Sequence, residues 1–158
     1  MLIGIVDSGI DYENPDFRNA DGTTRIAALW DQTVETGLPP AGYNVGTEFT
    51  SQQINAALQT AGHEERFRLV PSRDISGHGT AVAGIAAGNF AENKNDNLGI
   101  ATKSSLVIVK MALAGERSFP RTTQLMEAVD YMIKVAESYK MPLAMNLSFG
   151  NSYGSHDG

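Results

Sequence analysis

The amino-acid sequence predicts an α/β fold built on a parallel sheet, and three observations carry that prediction. Short continuous apolar runs at Leu2 to Val6, Ile26 to Trp30 and Leu106 to Met111 read as strands buried on both faces, without the alternation of a half-exposed strand. Helical patterns lie between and after them. The succession Leu106 to Met111, Thr122 to Lys140 and Leu143 to Ser148 is strand, helix, strand, and strands joined by such a crossover run parallel.

Taken in order, Leu2 to Val6 ends at Asp7-Ser8-Gly9, which leaves Asp7 at the C-terminal end of the first strand. In open α/β sheets that edge is where ligands bind. Ile26 to Trp30 is a second strand. After it come Trp30-Asp31-Gln32-Thr33, a Gly/Pro-rich stretch to Gly46, and a helix predicted over Ser51 to Ala61, with a Thr50/Gln53 capping box and Gly62 as its stop. Thr80 to Ala87 is small and apolar all round and closes at Gly88, and a polar loop follows at Glu92 to Asn97. Leu106 to Met111, with Val107, Ile108 and Val109, is the strongest strand. Thr122 to Lys140 sets Leu125, Val129, Met132, Ile133 and Ala136 on one stripe, and Pro142 prevents it from continuing.

Composition narrows what this chain does. Its 158 residues, 42% apolar, suffice for one core and are too few for two ordinary domains. Twelve basic against eighteen acidic residues give a net charge of -6, with no Lys/Arg cluster along a helix, so nucleic acid is not an expected partner. No apolar run approaches the roughly 18 residues of a membrane helix, and no membrane partner is expected. With no cysteine, disulfides, thiolate metal sites and a cysteine nucleophile are excluded. Met1 stands directly against the first strand, which suggests processing upstream, and the compartment stays undecided.

Two segments carry chemistry. Ile5-Val6-Asp7-Ser8-Gly9-Ile10-Asp11 and Gly77-His78-Gly79-Thr80-Ala81-Val82-Ala83-Gly84 place one carboxylate at a strand end and one imidazole at a helix start. A serine hydroxyl becomes a nucleophile only when a neighbouring base takes its proton, and an imidazole suits that task near neutral pH. At a helix N-terminus His78 meets the positive end of the macrodipole, which disfavours imidazolium, and a bonded Asp7 would offset this. A bare Gly-His-Gly is more often only a turn at a helix start.

Both segments resemble the Asp and His signatures of the subtilisin-like serine proteases, in the family's order. The resemblance implies a three-layer subtilisin-like fold, present here as an incomplete, N-terminal part of the catalytic domain, with Asp7 as triad aspartate and His78 as general base. Met145-Asn146-Leu147-Ser148-Phe149-Gly150 is similar to the family's substrate strand, which assigns Ser148, Phe149 and Gly150 to substrate binding by strand addition. A flanking strand near Glu116 to Phe119 matches only loosely. The nucleophile segment and the oxyanion Asn expected of the family lie beyond Gly158, so the C-terminal remainder of the protease is an expected partner, beside a peptide or protein substrate. The 71 positions from Asp7 to His78 are about twice those of a minimal member and imply an insertion at about 30 to 70, as in clostridial and spore-germination types.

The triad chemistry needs no cofactor. Asp16, in Pro15-Asp16-Phe17, matches a position that supplies a structural calcium ligand in many family members, and Asn93, Asn95, Asp96 and Asn97 are oxygen-rich. A Pro-Asp turn and a solvated loop account for the same residues. His63, beside Glu64 and Glu65, and His156, in the Gly/Ser-rich tail, read as solvated. A pseudoprotease that kept the fold for binding or regulation is the main alternative. A metal-dependent hydrolase ranks far behind, since no His-Glu-x-x-His or similar spacing is present.

Overall fold

The computed structural model describes residues 1–90, 98–111 and 122–148. Among them five strands, β1 (Leu2–Asp7), β2 (Ile26–Asp31), β3 (Thr47–Thr50), β4 (Ser105–Lys110) and β5 (Leu143–Leu147), form one sheet in the order β3-β2-β4-β1-β5. The pairs of β4 with β1 and β2, and of β1 with β5, are parallel; β3 alone is antiparallel, against β2. Among the described residues four helices accompany them, α1 (Ser51–Leu58), α2 (His63–Leu69), α3 (His78–Ala87) and α4 (Thr122–Tyr139). The α/β class and the parallel core therefore match the expectation.

The apolar runs are continuous because both faces of the sheet are covered, each by its own half of the strand positions. Ile3 and Ile5 of β1 point into a core with Ile54 and Ala57 of α1 and Ala83 and Ala87 of α3. Leu2 and Val6 point the other way, against Ala128, Met132 and Ala136 of α4. Three layers result. On the α4 side Trp30, Tyr43 and Tyr131 pack ring against ring, Trp30 at 4.8 Å from Tyr43 and 5.1 Å from Tyr131 between centroids.

Several expectations shift in detail. The crossover through α4 does not join adjacent strands, because β1 lies between β4 and β5. The helix expected over Ser51 to Ala61 ends at Leu58, although its capping box is present: Gln53 N donates to Thr50 Oγ1 at 3.3 Å and Thr50 N to Gln53 Oε1 at 2.8 Å. Gly62 is no helix stop. It begins α2 with φ 93°, a helix that buries none of its residues and so leaves no apolar stripe in the sequence. Within the segment of about 30 to 70, β3, α1 and α2 are the elements formed.

Arg25 locks the loops below the sheet. Its guanidinium donates to the carbonyls of Ser104 at 2.6 Å, Ala87 at 2.7 Å and Asp16 at 3.1 Å, so this buried cation meets the C-terminal end of α3. No helix among the described residues is long and apolar enough to cross a membrane.

Candidate active site

The C-terminal ends of three parallel strands set charged residues side by side. In register, Lys110 of β4 lies between Asp7 of β1 and Asp31 of β2. The Lys110 ammonium goes to Asp31, at 3.2 Å, where Ser72 Oγ also donates at 2.6 Å. Asp7 is thereby left for another partner. That partner is His78, the first residue of α3, whose Nδ1 lies 2.8 Å from Asp7 Oδ1 and 3.0 Å from Oδ2.

The two side chains differ sharply in exposure. The Asp7 side chain is 3% exposed and that of His78 61%. An ionised carboxylate only accepts hydrogen bonds, so Nδ1 carries the proton and Nε2 keeps a lone pair. Nε2 is the nitrogen a general base would use. The hydrogen bond from His78 to Asp7, then the charge of Asp7, lift the imidazole above its ordinary value of 6.5; the charge of Asp74 adds to this against a small cost of desolvation.

Glycines bring α3 to this position. Gly77 opens the helix with φ 74°, a left-handed conformation that side chains rarely adopt. Gly79 is packed so closely on the Asp7-Ser8-Gly9 turn that a Cβ would collide with the carbonyl oxygen of Gly9 and lie 3.1 Å from Asp7 Cβ. A side chain there would push His78 off the carboxylate.

Residues that the motif reading passed over complete the corner. The first three amides of α3 receive acceptors from outside the helix: His78 N donates to Ser76 Oγ at 3.2 Å, Gly79 N to Ser8 Oγ at 3.0 Å and Thr80 N to Asp74 Oδ2 at 2.8 Å. The only sequence signal for this was polar residues ahead of a helix, which is ordinary capping chemistry.

Of the substrate-strand residues, Ser148 is the one described. Its amide donates to Val6 O at 3.3 Å, and its hydroxyl accepts from Asn146 Nδ2 at 2.6 Å, so it lies beside the end of β1, one residue past the Leu147 that pairs with Val6. Phe149 and Gly150 fall outside the described residues, as do Glu116 to Phe119 and His156. Asp16 sits in a 3-10 turn, where Oδ1 accepts the Phe90 amide at 3.1 Å and its carbonyl is shared by Arg25 and Asn89. Calcium needs six to eight oxygens. Among the described residues Asp16 does not belong to any group of three or more carboxylates or histidines, and Asn93 to Asn97 lie outside them. His63 is not merely solvated: Nδ1 lies 2.6 Å from Glu13 Oε1, while 57% of the side chain stays exposed.

Comparison with known proteins assigns the family. The subtilase family model, Peptidase S8, matches residues 1–158. The chain belongs to the subtilase family. It is 37% identical over 97 residues to Subtilisin-like protease SBT3.1 of Arabidopsis thaliana, covering 58% of this chain, and 27% identical over 150 residues to Subtilisin-like protease SBT3 of Solanum lycopersicum, covering 84%. It spans 12% and 18% of those two proteins. The solved structure of the Clostridium perfringens CspB protease superposes on all of this chain with a TM-score of 0.79 at 34% identity, and the chain covers 30% of it. The expected likeness to clostridial subtilases is thus met, and the subtilase fold is present in its N-terminal part.

Proposed function

We propose that this subtilase chain supplies two members of an Asp-His-Ser triad, Asp7 and His78, to a serine endopeptidase whose nucleophile lies outside these 158 residues. The observation that carries the reading is the contact of His78 Nδ1 with the buried Asp7 carboxylate at 2.8 Å, in an imidazole side chain that is largely exposed. Nε2 would take the proton of the serine hydroxyl as its oxygen attacks the scissile carbonyl, then return that proton to the leaving amine; water would release the acyl group by the same route. Asp7 stays ionised throughout, holding the tautomer and compensating the transient imidazolium.

Substrate would enter as an extended peptide beside the segment that begins at Ser148, its main chain bonding to the strand and its side chains to flanking pockets. The remaining part of the protease would cover β5, where Met145 and Leu147 are more than two-fifths exposed. No cofactor enters this chemistry, and calcium at Asp16 would serve stability alone.

The test is activity-based labelling of the full-length protein with a serine-directed fluorophosphonate. Labelling that fails when His78 is replaced by Ala, and that survives a chelator, is the expected result. Peptide hydrolysis that ignores the probe and stops with chelator would remove the serine mechanism, and a folded full-length protein with neither labelling nor hydrolysis would favour the pseudoprotease.

A further inference from the structure

Asp74 has no part in the proton transfer described above, yet it holds more hydrogen bonds than either member of the pair. Oδ1 accepts from Ser8 Oγ at 2.8 Å, from Gly77 N at 3.0 Å and from Ser76 Oγ at 3.2 Å. Oδ2 accepts from Thr80 Oγ1 at 2.7 Å and from Thr80 N at 2.8 Å. Ser8 follows Asp7 directly, and Gly77 and Thr80 flank His78. One carboxylate therefore grips the chain on both sides of the Asp7-His78 contact.

We propose that Asp74 is the positioning residue that registers His78 on Asp7, clamping the β1 turn to the N-terminus of α3. The clamp acts through two routes. Ser8 Oγ, donating to Asp74, is oriented to accept Gly79 N at 3.0 Å, which joins the residue after Asp7 to the residue after His78. Thr80 Oγ1, donating to Oδ2, is likewise oriented to accept Asp11 N at 2.9 Å, a second tie between the same segments. If both ties loosen, β1 and α3 are coupled at this corner chiefly by packing, and a hydrogen bond between two side chains tolerates little of the resulting drift.

Charge supports the same assignment. Partial burial opposes ionisation of Asp74, but the bonds from Thr80, Ser8 and Gly77 outweigh it and hold the carboxyl below its ordinary value, so it is anionic wherever the pair works. An anion at this point neutralises the positive end of α3, which would otherwise disfavour the imidazolium that forms in catalysis. The charged groups acting on His78 among the described residues are Asp7, from β1, and Asp74, from the loop before α3.

The inference rests on the triad reading for its consequence and not for its test. In the full-length protein with 13C-labelled histidine, Asp74→Asn keeps the shape but replaces one acceptor oxygen by a donor and removes the charge. Expected are a His78 titration midpoint moved down, a weakened low-field Nδ1 proton signal and, where hydrolysis is measured, kcat lowered at least about tenfold with KM within about twofold. A folded variant whose His78 midpoint and low-field proton match wild type overturns the assignment, even if hydrolysis stands. Ser8→Ala, which deletes one tie and leaves Asp74 in place, should weaken the proton signal by a smaller amount; it decides the matter if Asp74→Asn does not fold, and an unchanged signal again overturns the proposal. Because both resonances are read without turnover, their response to Asp74→Asn tests Asp74 alone, whereas a wild-type full-length protein that shows both resonances and hydrolyses no peptide counts against the triad reading alone.

Discussion

The two sides of β1 contrast with each other. Toward α3, every polar group at the end of the strand is engaged: Asp7 with His78 and Ser8 N, Ser8 Oγ with Asp74 and Gly79, and the leading amides of α3 with Ser76, Ser8 and Asp74. Toward β5, one strand away, apolar side chains face solvent and no further strand pairs beyond β5 among the described residues. The first corner is preorganised, which chemistry demands. The second is an edge that asks for a partner. What distinguishes them is not apolar content but whether donors and acceptors are matched within the chain.

The most severe break in the preorganised corner is Asp7→Asn in the full-length protein. An amide would present a donor or a weaker acceptor to His78 Nδ1 and disturb the tautomer that leaves Nε2 free. Turnover should fall by on the order of 10⁴, while the circular dichroism spectrum and melting temperature stay near wild type. Turnover within a few-fold of wild type would take Asp7 out of the mechanism.

Next in size is Gly79→Ala. The added methyl meets Gly9 O and Asp7 Cβ, backbone and buried core rather than a flexible tip, so α3 must move away from β1. A cost of about 1–3 kcal/mol, the range for overpacking a tight contact, should appear in chemical denaturation, together with a weakened low-field His78 Nδ1 proton signal. Gly22→Ala, where an added Cβ would meet no atom within 4 Å beyond its chain neighbours, is the control for glycine removal, although its φ of 84° will itself cost some stability.

These expectations also mark how far the sequence could be read. Leu2 to Val6, Ile26 to Trp30 and Leu106 to Met111 were legible because strands covered on both faces leave continuous apolar runs, and Thr122 to Lys140 because one stripe faces the sheet, although that face holds Ala128, Tyr131, Met132 and Ala136 and leaves Ile133 exposed. The Asp7 and His78 segments were legible because adjacent residues carry the whole pattern. What escaped is held by contacts distant in the chain. β3 is four residues long and is defined by its pairing with β2; α2 has no buried residue and is fixed from outside by Glu13, which meets His63 at 2.6 Å and Arg66 at 2.9 Å. Asp74 contacts Ser8 across 66 positions, and no local pattern announces that meeting.

The open edge is tested by association. The 158-residue chain alone should self-associate, because the outer N-H and C=O groups of β5 and the exposed Met145 and Leu147 together template pairing. Leu147→Lys puts a charge on that edge and should reduce light scattering, while His78 and Asp7, on the other side of β1, keep their contact. A wild-type chain that stays strictly monomeric across micromolar concentrations would erase the contrast between the two sides.

The smallest effect is the pH dependence, and its sign follows from the raised His78 pKa. A group whose folded value lies above its unfolded one binds its proton more tightly when folded, so its contribution to stability is complete below the unfolded value and disappears as pH rises through the folded value. His78 is largely exposed, so this contribution is slight and screened by salt. Activity reads the same shift in the opposite sense, because only neutral imidazole accepts the serine proton. The acid limb of kcat/KM should therefore lie above 6.5 in the full-length protein, the ordinary histidine value. It should move down in Asp74→Asn, where one of the two anions acting on the ring is gone, and stay in place in Leu147→Lys, whose charge is on the β5 edge. An acid limb that responds equally to both variants would mean that the ring feels net charge and not the corner that holds it.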